Sequence, residues 1–129
     1  RLISITPAAD LEEIRDGQPS PVTFLTKLAR NGVRRYAIVD QARVPINLTG
    51  LTIKMVVKTG PDAANTELSA VMPLTGTVFN AAQGLVDFDF ATVNFVNPVG
   101  EVLVVVYDGT GANPIPLVQA RSTIIKAGV

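Results

Sequence analysis

The chain of 129 residues contains no cysteine, no histidine and no tryptophan. Without cysteine there are no disulfides, thiolate nucleophiles, zinc–thiolate sites or iron–sulfur clusters. Without histidine the usual neutral-pH base is missing, as is the commonest transition-metal ligand. The lack of tryptophan weakens a sugar-platform reading. Aromatic residues make up only 5% of the chain, which weakens base stacking on single-stranded nucleic acid. No stretch approaches ~18 consecutive apolar residues, so no membrane-spanning helix is expected. Arg1-Leu2-Ile3-Ser4-Ile5 is too short, and turns polar too soon, to be a signal peptide. The chain opens on Arg1 rather than Met, which leaves processing from a longer precursor open.

What is present is apolar and balanced in charge. Hydrophobic residues account for 47% of the sequence, and formal net charge is zero. The length fits one domain that buries roughly two thirds of its unfolded surface. Abundant valine explains part of the hydropathy; apolar surface covered by other subunits is the other explanation. The charge is uneven along the chain. Lys27, Arg30, Arg34, Arg35 and Arg43 face a single acid, Asp40, between Val22 and Arg43, whereas acids outnumber bases from Leu51 onward. A local basic patch is expected, not a nucleic-acid-binding protein.

Residues 1–32 differ from the rest and read as an N-terminal arm. Thr6-Pro7 has the form of a helix start, and Asp10, Glu12 and Glu13 suit the first turns. A two-turn helix over Ala8–Arg15 is therefore expected, ending before Gly17. Gln18-Pro19-Ser20-Pro21 reads as an extended linker. Val22–Arg30 is either a helix ending at Asn31-Gly32 or a strand in a hairpin with Val33–Val39; Asn31-Gly32 favours the hairpin.

From Val33 the pattern is β. Strands are expected at Val33–Val39, Leu51–Lys58, Glu67–Met72, Leu85–Phe90, Glu101–Tyr107 and Pro116–Lys126, with a short, edge-like one at Val44–Ile46. In the second of these, Leu51, Ile53, Met55 and Val57 share one face. Val102–Val106 reads as a central strand buried on both faces. Turn signals fall at Asp40–Arg43, Thr49-Gly50, Asn80–Gly84, Asn97–Gly100 and Asp108–Asn113, and Gly50 is expected at positive φ. Seven or so short strands with regular turns argue for a sandwich.

Few residues suggest chemistry. Asp87 and Asp89 could bind calcium or act as acid and base, but they also fit the wet face of an amphipathic strand. Asp108-Gly109-Thr110-Gly111 has the glycines of a phosphate cradle, yet Pro114 and Pro116 follow where a helix would be needed. Ser4, Ser20, Ser69 and Ser122 have no histidine partner and no nucleophile elbow. No enzyme, cofactor or metal site is expected. Arg30, Arg34, Arg35 and Arg43 suit an acidic partner surface or nucleic acid, or else a charged strand edge that discourages pairing.

One pattern is more specific. It begins with Asp40-Gln41-Ala42-Arg43-Val44-Pro45-Ile46-Asn47-Leu48-Thr49-Gly50 and continues with Asn80-Ala81-Ala82-Gln83-Gly84-Leu85-Val86-Asp87-Phe88. Pro98-Val99-Gly100-Glu101-Val102 and Tyr107-Asp108-Gly109 complete it. From about Gly32 to Lys126 the chain resembles the N-terminal immunoglobulin-like domain of the phage baseplate upper protein family, and the short virion proteins that share it. Arg43 stands where that family often has Gly. The resemblance implies an all-β, immunoglobulin-like antiparallel β-sandwich over 33–129, carried by a structural protein of a tailed-phage virion. Such a protein sits in the baseplate or tail, or attached to the capsid. Its partners would be other virion proteins, in many copies or as a homo-oligomer, with no membrane and no nucleic acid. Exposure logic places partner contact at Leu2, Ile3, Ile5, Leu11 and Ile14 in the arm and at Arg30, Arg34 and Arg35 at its root. Deleting residues 1–20 is then expected to leave the domain folded. The alternative is a receptor- or carbohydrate-binding β-sandwich module.

Overall fold

The structure is a computed structural model, and it describes residues 9–25, 32–93, 95 and 100–125. Among the described residues ten strands form two facing sheets: β1 Asp10–Arg15, β2 Gln18–Ser20, β3 Thr23–Leu25, β4 Val33–Val39, β5 Ile53–Lys58, β6 Leu74–Thr75, β7 Thr77–Asn80, β8 Leu85–Asp89, β9 Gly100–Asp108 and β10 Ile115–Ile125. One sheet has the order β2-β1-β4-β8-β7 and the other β3-β10-β9-β5-β6. All strand pairs are antiparallel except β3 against β10. The protein is thus an all-β sandwich. A β1-β4-β8-β7 sheet facing β10-β9-β5 is the strand order of the immunoglobulin sandwich.

Alternation decides the faces. Ile53, Met55 and Val57 of β5 and Val102, Val104 and Val106 of β9 point into the core. β9 lies between β10 and β5, and Leu103 on its other face is buried as well, as the Val102–Val106 run predicts. Five of the seven aromatic residues join in one cluster. Phe24 meets Phe90 and Phe95, and Tyr36 meets Phe88 and Phe90, with ring centroids 5.8–6.2 Å apart. Such pairs add about 0.5–1.5 kcal/mol each beyond the area they bury.

The N-terminal segment corrects several expectations. The stretch expected as a helix over Ala8–Arg15 is strand from Asp10 on. Its alternate residues Leu11 and Glu13 stand opposite Ile38 and Tyr36 of β4. Pairing to β4 therefore outweighs the helical cues, as tertiary contacts regularly outweigh propensity. β3 does not form a hairpin with β4. It crosses to the opposite sheet, pairs with Thr123–Ile125 and buries Phe24. Gly32 instead lies so close to the backbone of Ala91 that any Cβ would clash. Residues 10–25, read as an arm, thus supply three strands of the sandwich. Without them β4 would lose its neighbour on one side and the core would lose Phe24.

Two smaller corrections follow. Glu67–Met72 is not a strand; it turns twice, and Leu68 and Met72 plug the core. β6 and β7 arise where no strand was expected, with Gly76 between them packed against Val86 and Phe88.

Candidate functional site

At one end of the sandwich three of the motif segments meet. Asp40 opens the corner. Its Oδ1 accepts hydrogen bonds from the amides of Ala42 (2.8 Å) and Val44 (2.9 Å). Arg43 closes the turn at φ 66°, the left-handed region that L-residues avoid. This backbone demand explains why glycine suits that position. Arg43 is held there with its guanidinium 2.8 Å from Glu12 Oε2 of β1. The corner ends at Gly50, whose φ of 79° meets the expectation from Thr49-Gly50.

The second motif docks on the first. Ala81–Gln83 forms a 3-10 turn capped by the Asn80 side chain, and Gly84 leaves it at φ 67°. Leu48 N–H donates to Ala81 O (3.0 Å), and Ile38 N–H to Gly84 O (2.9 Å). A Cβ on Gly84 would stand 2.5 Å from Ile38 O and 3.0 Å from Ile46 O, so only glycine fits. The third motif closes the far side. Gly109 N–H donates to Thr52 O, and Thr52 N–H donates to Thr110 Oγ1, both at 2.8 Å. Asp108 Oδ1 also accepts the Thr110 hydroxyl and amide, and these bonds hold its carboxyl below the usual range. The amides of Gly109 and Thr110 are already used, so the Asp108–Gly111 stretch is a bonded hairpin tip and not a phosphate cradle. Of the remaining motif, Gly100 begins β9 at the opposite end, and Pro98 and Val99 lie outside the described residues.

At that opposite end lies an open cleft of about 700 Å³ between the Asp16-Gly17 turn and the start of β4. Three of the expected contact residues line it: Ile14, Arg34 and Arg35. Arg34 faces the inner side of the sandwich, next to the buried carboxylate of Glu13. Glu13 Oε2 accepts from Arg15 Nε at 2.7 Å and from Arg34 Nη1 at 2.8 Å. Its Oε1 and the nearby Tyr36 hydroxyl are buried without a hydrogen-bond partner. Burial, and next the charge of Glu13, pushes the Tyr36 phenol well above its ordinary range. Arg35 faces outward. It makes a two-pronged pair with Asp87 at 2.7 and 3.0 Å, and its guanidinium lies 3.4 Å from the ring centre of Phe79.

Of the other expected contact residues, Leu11 packs against the protein's own core. Leu2, Ile3, Ile5 and Arg30 lie outside the described residues. Asp87 is taken up by Arg35, and Asp89 accepts the amide of Ala91 at 2.9 Å. The Ser122 hydroxyl donates to Val22 O, which ties β10 to the chain entering β3. Among the described residues no group of three or more acidic side chains is placed to hold a metal ion. Sequence reasoning missed Glu13 as a buried charge and Phe79 as the ring beneath Arg35. Glu13 carried no signal, because an acid near Pro7 reads as a helix start. Phe79 was hidden in a segment with no strand pattern. No family model matches the chain, and no curated protein matches it.

Proposed function

We propose that this chain is a non-enzymatic structural protein of a tailed-phage virion, a rigid β-sandwich that docks on neighbouring subunits. The observation that carries this reading is that the 40–50, 80–84 and 107–109 segments lie at one end of the sandwich, the first two bonded to each other and the third to Thr52. These are stretches in which the sequence resembles the baseplate upper protein domain. The first two are joined directly by the Leu48–Ala81 backbone bond, the third bonds to Thr52 just past the first, and the glycines at 50 and 84 have little freedom to change. The function follows as burial of surface between subunits, with partner contact at Ile14, Arg34 and Arg35 beside the cleft and at Leu2, Ile3 and Ile5 ahead of β1.

The test is quantitative mass spectrometry of purified phage particles from a lysate in which the protein is made. The chain is expected at a fixed copy number per particle. Particles that never contain it contradict the reading. The alternative, a receptor- or carbohydrate-binding module, is separated by a glycan array, on which a virion structural protein gives no specific signal.

A further inference from the structure

Among the described residues each sheet ends in two edge strands, and three of these four edges adjoin proline. β2 contains Pro19, Pro21 lies just ahead of β3, and Pro73 directly precedes β6. Proline has no N–H to offer a neighbouring strand, and short edges guarded in this way resist pairing with other molecules. The fourth edge, β7, is unguarded. No proline interrupts or adjoins it, and no charged residue occurs anywhere from Leu68 to Val86. Among the described residues nothing pairs with its outer side. Ladder alternation fixes which groups face that side. Ile38 N–H donates to Gly84 O and Phe90 N–H to Gly32 O, so the even-numbered residues along β8 bond to β4. The odd-numbered ones bond to β7, where Thr77 stands opposite Asp87. The amide and carbonyl of Val78, the next residue, therefore point to the open side. Beside them the Phe79 ring is 56% exposed, with the Arg35 guanidinium over it and Asp87 neutralising that charge.

We infer that β7 pairs antiparallel with β7 of a second copy, across a twofold axis beside Val78. Each Val78 donates its N–H to the Val78 carbonyl of the other copy. Thr77 then stands opposite Phe79 of the other copy, and each exposed ring gains cover. Two observations select a second copy as the partner. Its β7 is the one described edge that proline leaves free, so like meets like. Antiparallel pairing of a strand with itself also brings its own charges together, which repels in a charged strand and does not in this one. The contact uses the same surface on both sides, so it closes at two copies. So short a contact covers far less than the roughly 800 Å² per partner of a stable complex, and the pair forms at high protein concentration. The inference goes beyond the docking reading and does not rest on it.

The test is sedimentation equilibrium of the full chain and two variants, up to millimolar concentration. Val78→Pro removes the outward N–H and no ladder bond within the molecule. Thr77→Lys puts a charge on the edge at an exposed position. The unaltered protein should pass from monomer to dimer, and each variant should dimerise about tenfold more weakly or worse, as expected for two lost hydrogen bonds. Circular dichroism checks that the variants fold; if Val78→Pro does not, the exposed Thr77→Lys decides alone. Monomer throughout the range overturns the pairing. So does a dimer that the folded variants leave intact, or association that continues past two copies. Amide exchange adds a second readout: the Val78 N–H should slow as the unaltered protein dimerises, and unchanged exchange there places the interface elsewhere and overturns the inference. None of these failures touches the docking reading, because the chain could still be found in particles at fixed copy number.

Discussion

The two ends of the sandwich are held by different physics. At the corner end, backbone amides and carbonyls pair directly, and glycine or left-handed backbone at Arg43, Gly50 and Gly84 makes the pairing possible. At the cleft end, side-chain charge ties β1 to β4 within one sheet, with Glu13 held between Arg15 and Arg34. The first arrangement is rigid and satisfied. The second leaves Glu13 Oε1 and the Tyr36 hydroxyl without partners. Buried polar groups in that state cost stability and leave room to rearrange.

The largest effect is expected from removing residues 1–20. The deletion takes away β1 and β2, uncovers one side of β4 and strands Arg34 without Glu13. Losses of this kind exceed about 4 kcal/mol, enough to unfold many small domains. Circular dichroism on the truncated protein should show a lost or greatly lowered melting transition. A truncated protein that melts like the whole chain would return residues 10–20 to the status of an arm.

A smaller loss is expected from Glu13→Ala. Removing one partner of a buried charge group costs about 3–5 kcal/mol. The guanidinium of Arg15 is half exposed, so the lower end of that range, about 3 kcal/mol, applies. Pairing Glu13→Met with Arg34→Met should recover much of the loss in urea unfolding. If Glu13→Ala alone is neutral, the cleft end does not depend on charge.

At the corner, Gly84→Ala and Gly50→Val should separate two costs. Both positions have positive φ, which alone costs roughly 1–3 kcal/mol for an L-residue. Only Gly84 adds a clash with the carbonyls of Ile38 and Ile46, whereas space is open around Gly50. Gly84→Ala should therefore lower the melting temperature more than Gly50→Val. The reverse order would mean that the corner is not packed against the 81–84 turn.

The smallest effect belongs to Arg43→Gly. Glycine relieves the left-handed backbone by about 1–2 kcal/mol. It also loses the exposed Glu12 pair, worth about 0–1 kcal/mol, and adds unfolded-chain entropy of about 0.5–1 kcal/mol. The net change should be within about 1 kcal/mol, with unchanged unfolding cooperativity. A loss well beyond that would assign Arg43 a structural role larger than its single ion pair.

The same contrast explains what could be read from the sequence. Turn chemistry is local: Thr49-Gly50 announces its positive φ, and Leu51–Lys58 announces its faces by alternation. The central strand at Val102–Val106 is legible because no polar residue interrupts it. Glu13 is different. Its partner Arg34 is 21 residues away, and nothing local marks an acid that will be buried. The crossing of β3 to β10 joins residues a hundred positions apart, so Asn31-Gly32 suggested the nearer partner instead. Of the residues expected at a partner contact, Arg34 and Arg35 line the cleft, and alternation puts them on opposite faces. Leu11 was misjudged because its burial depends on Ile38, which only the sheet register reveals.

The account turns on residues 10–20 being part of the sandwich rather than an arm beside it. Nuclear Overhauser contacts on the full-length protein test this most directly. The account predicts cross-strand contacts from Leu11 to Ile38 and from Glu13 to Tyr36, with slow amide exchange along Leu11–Ile14. Helical contacts between residues three and four apart over 8–15, with fast exchange and no contact to β4, would contradict it.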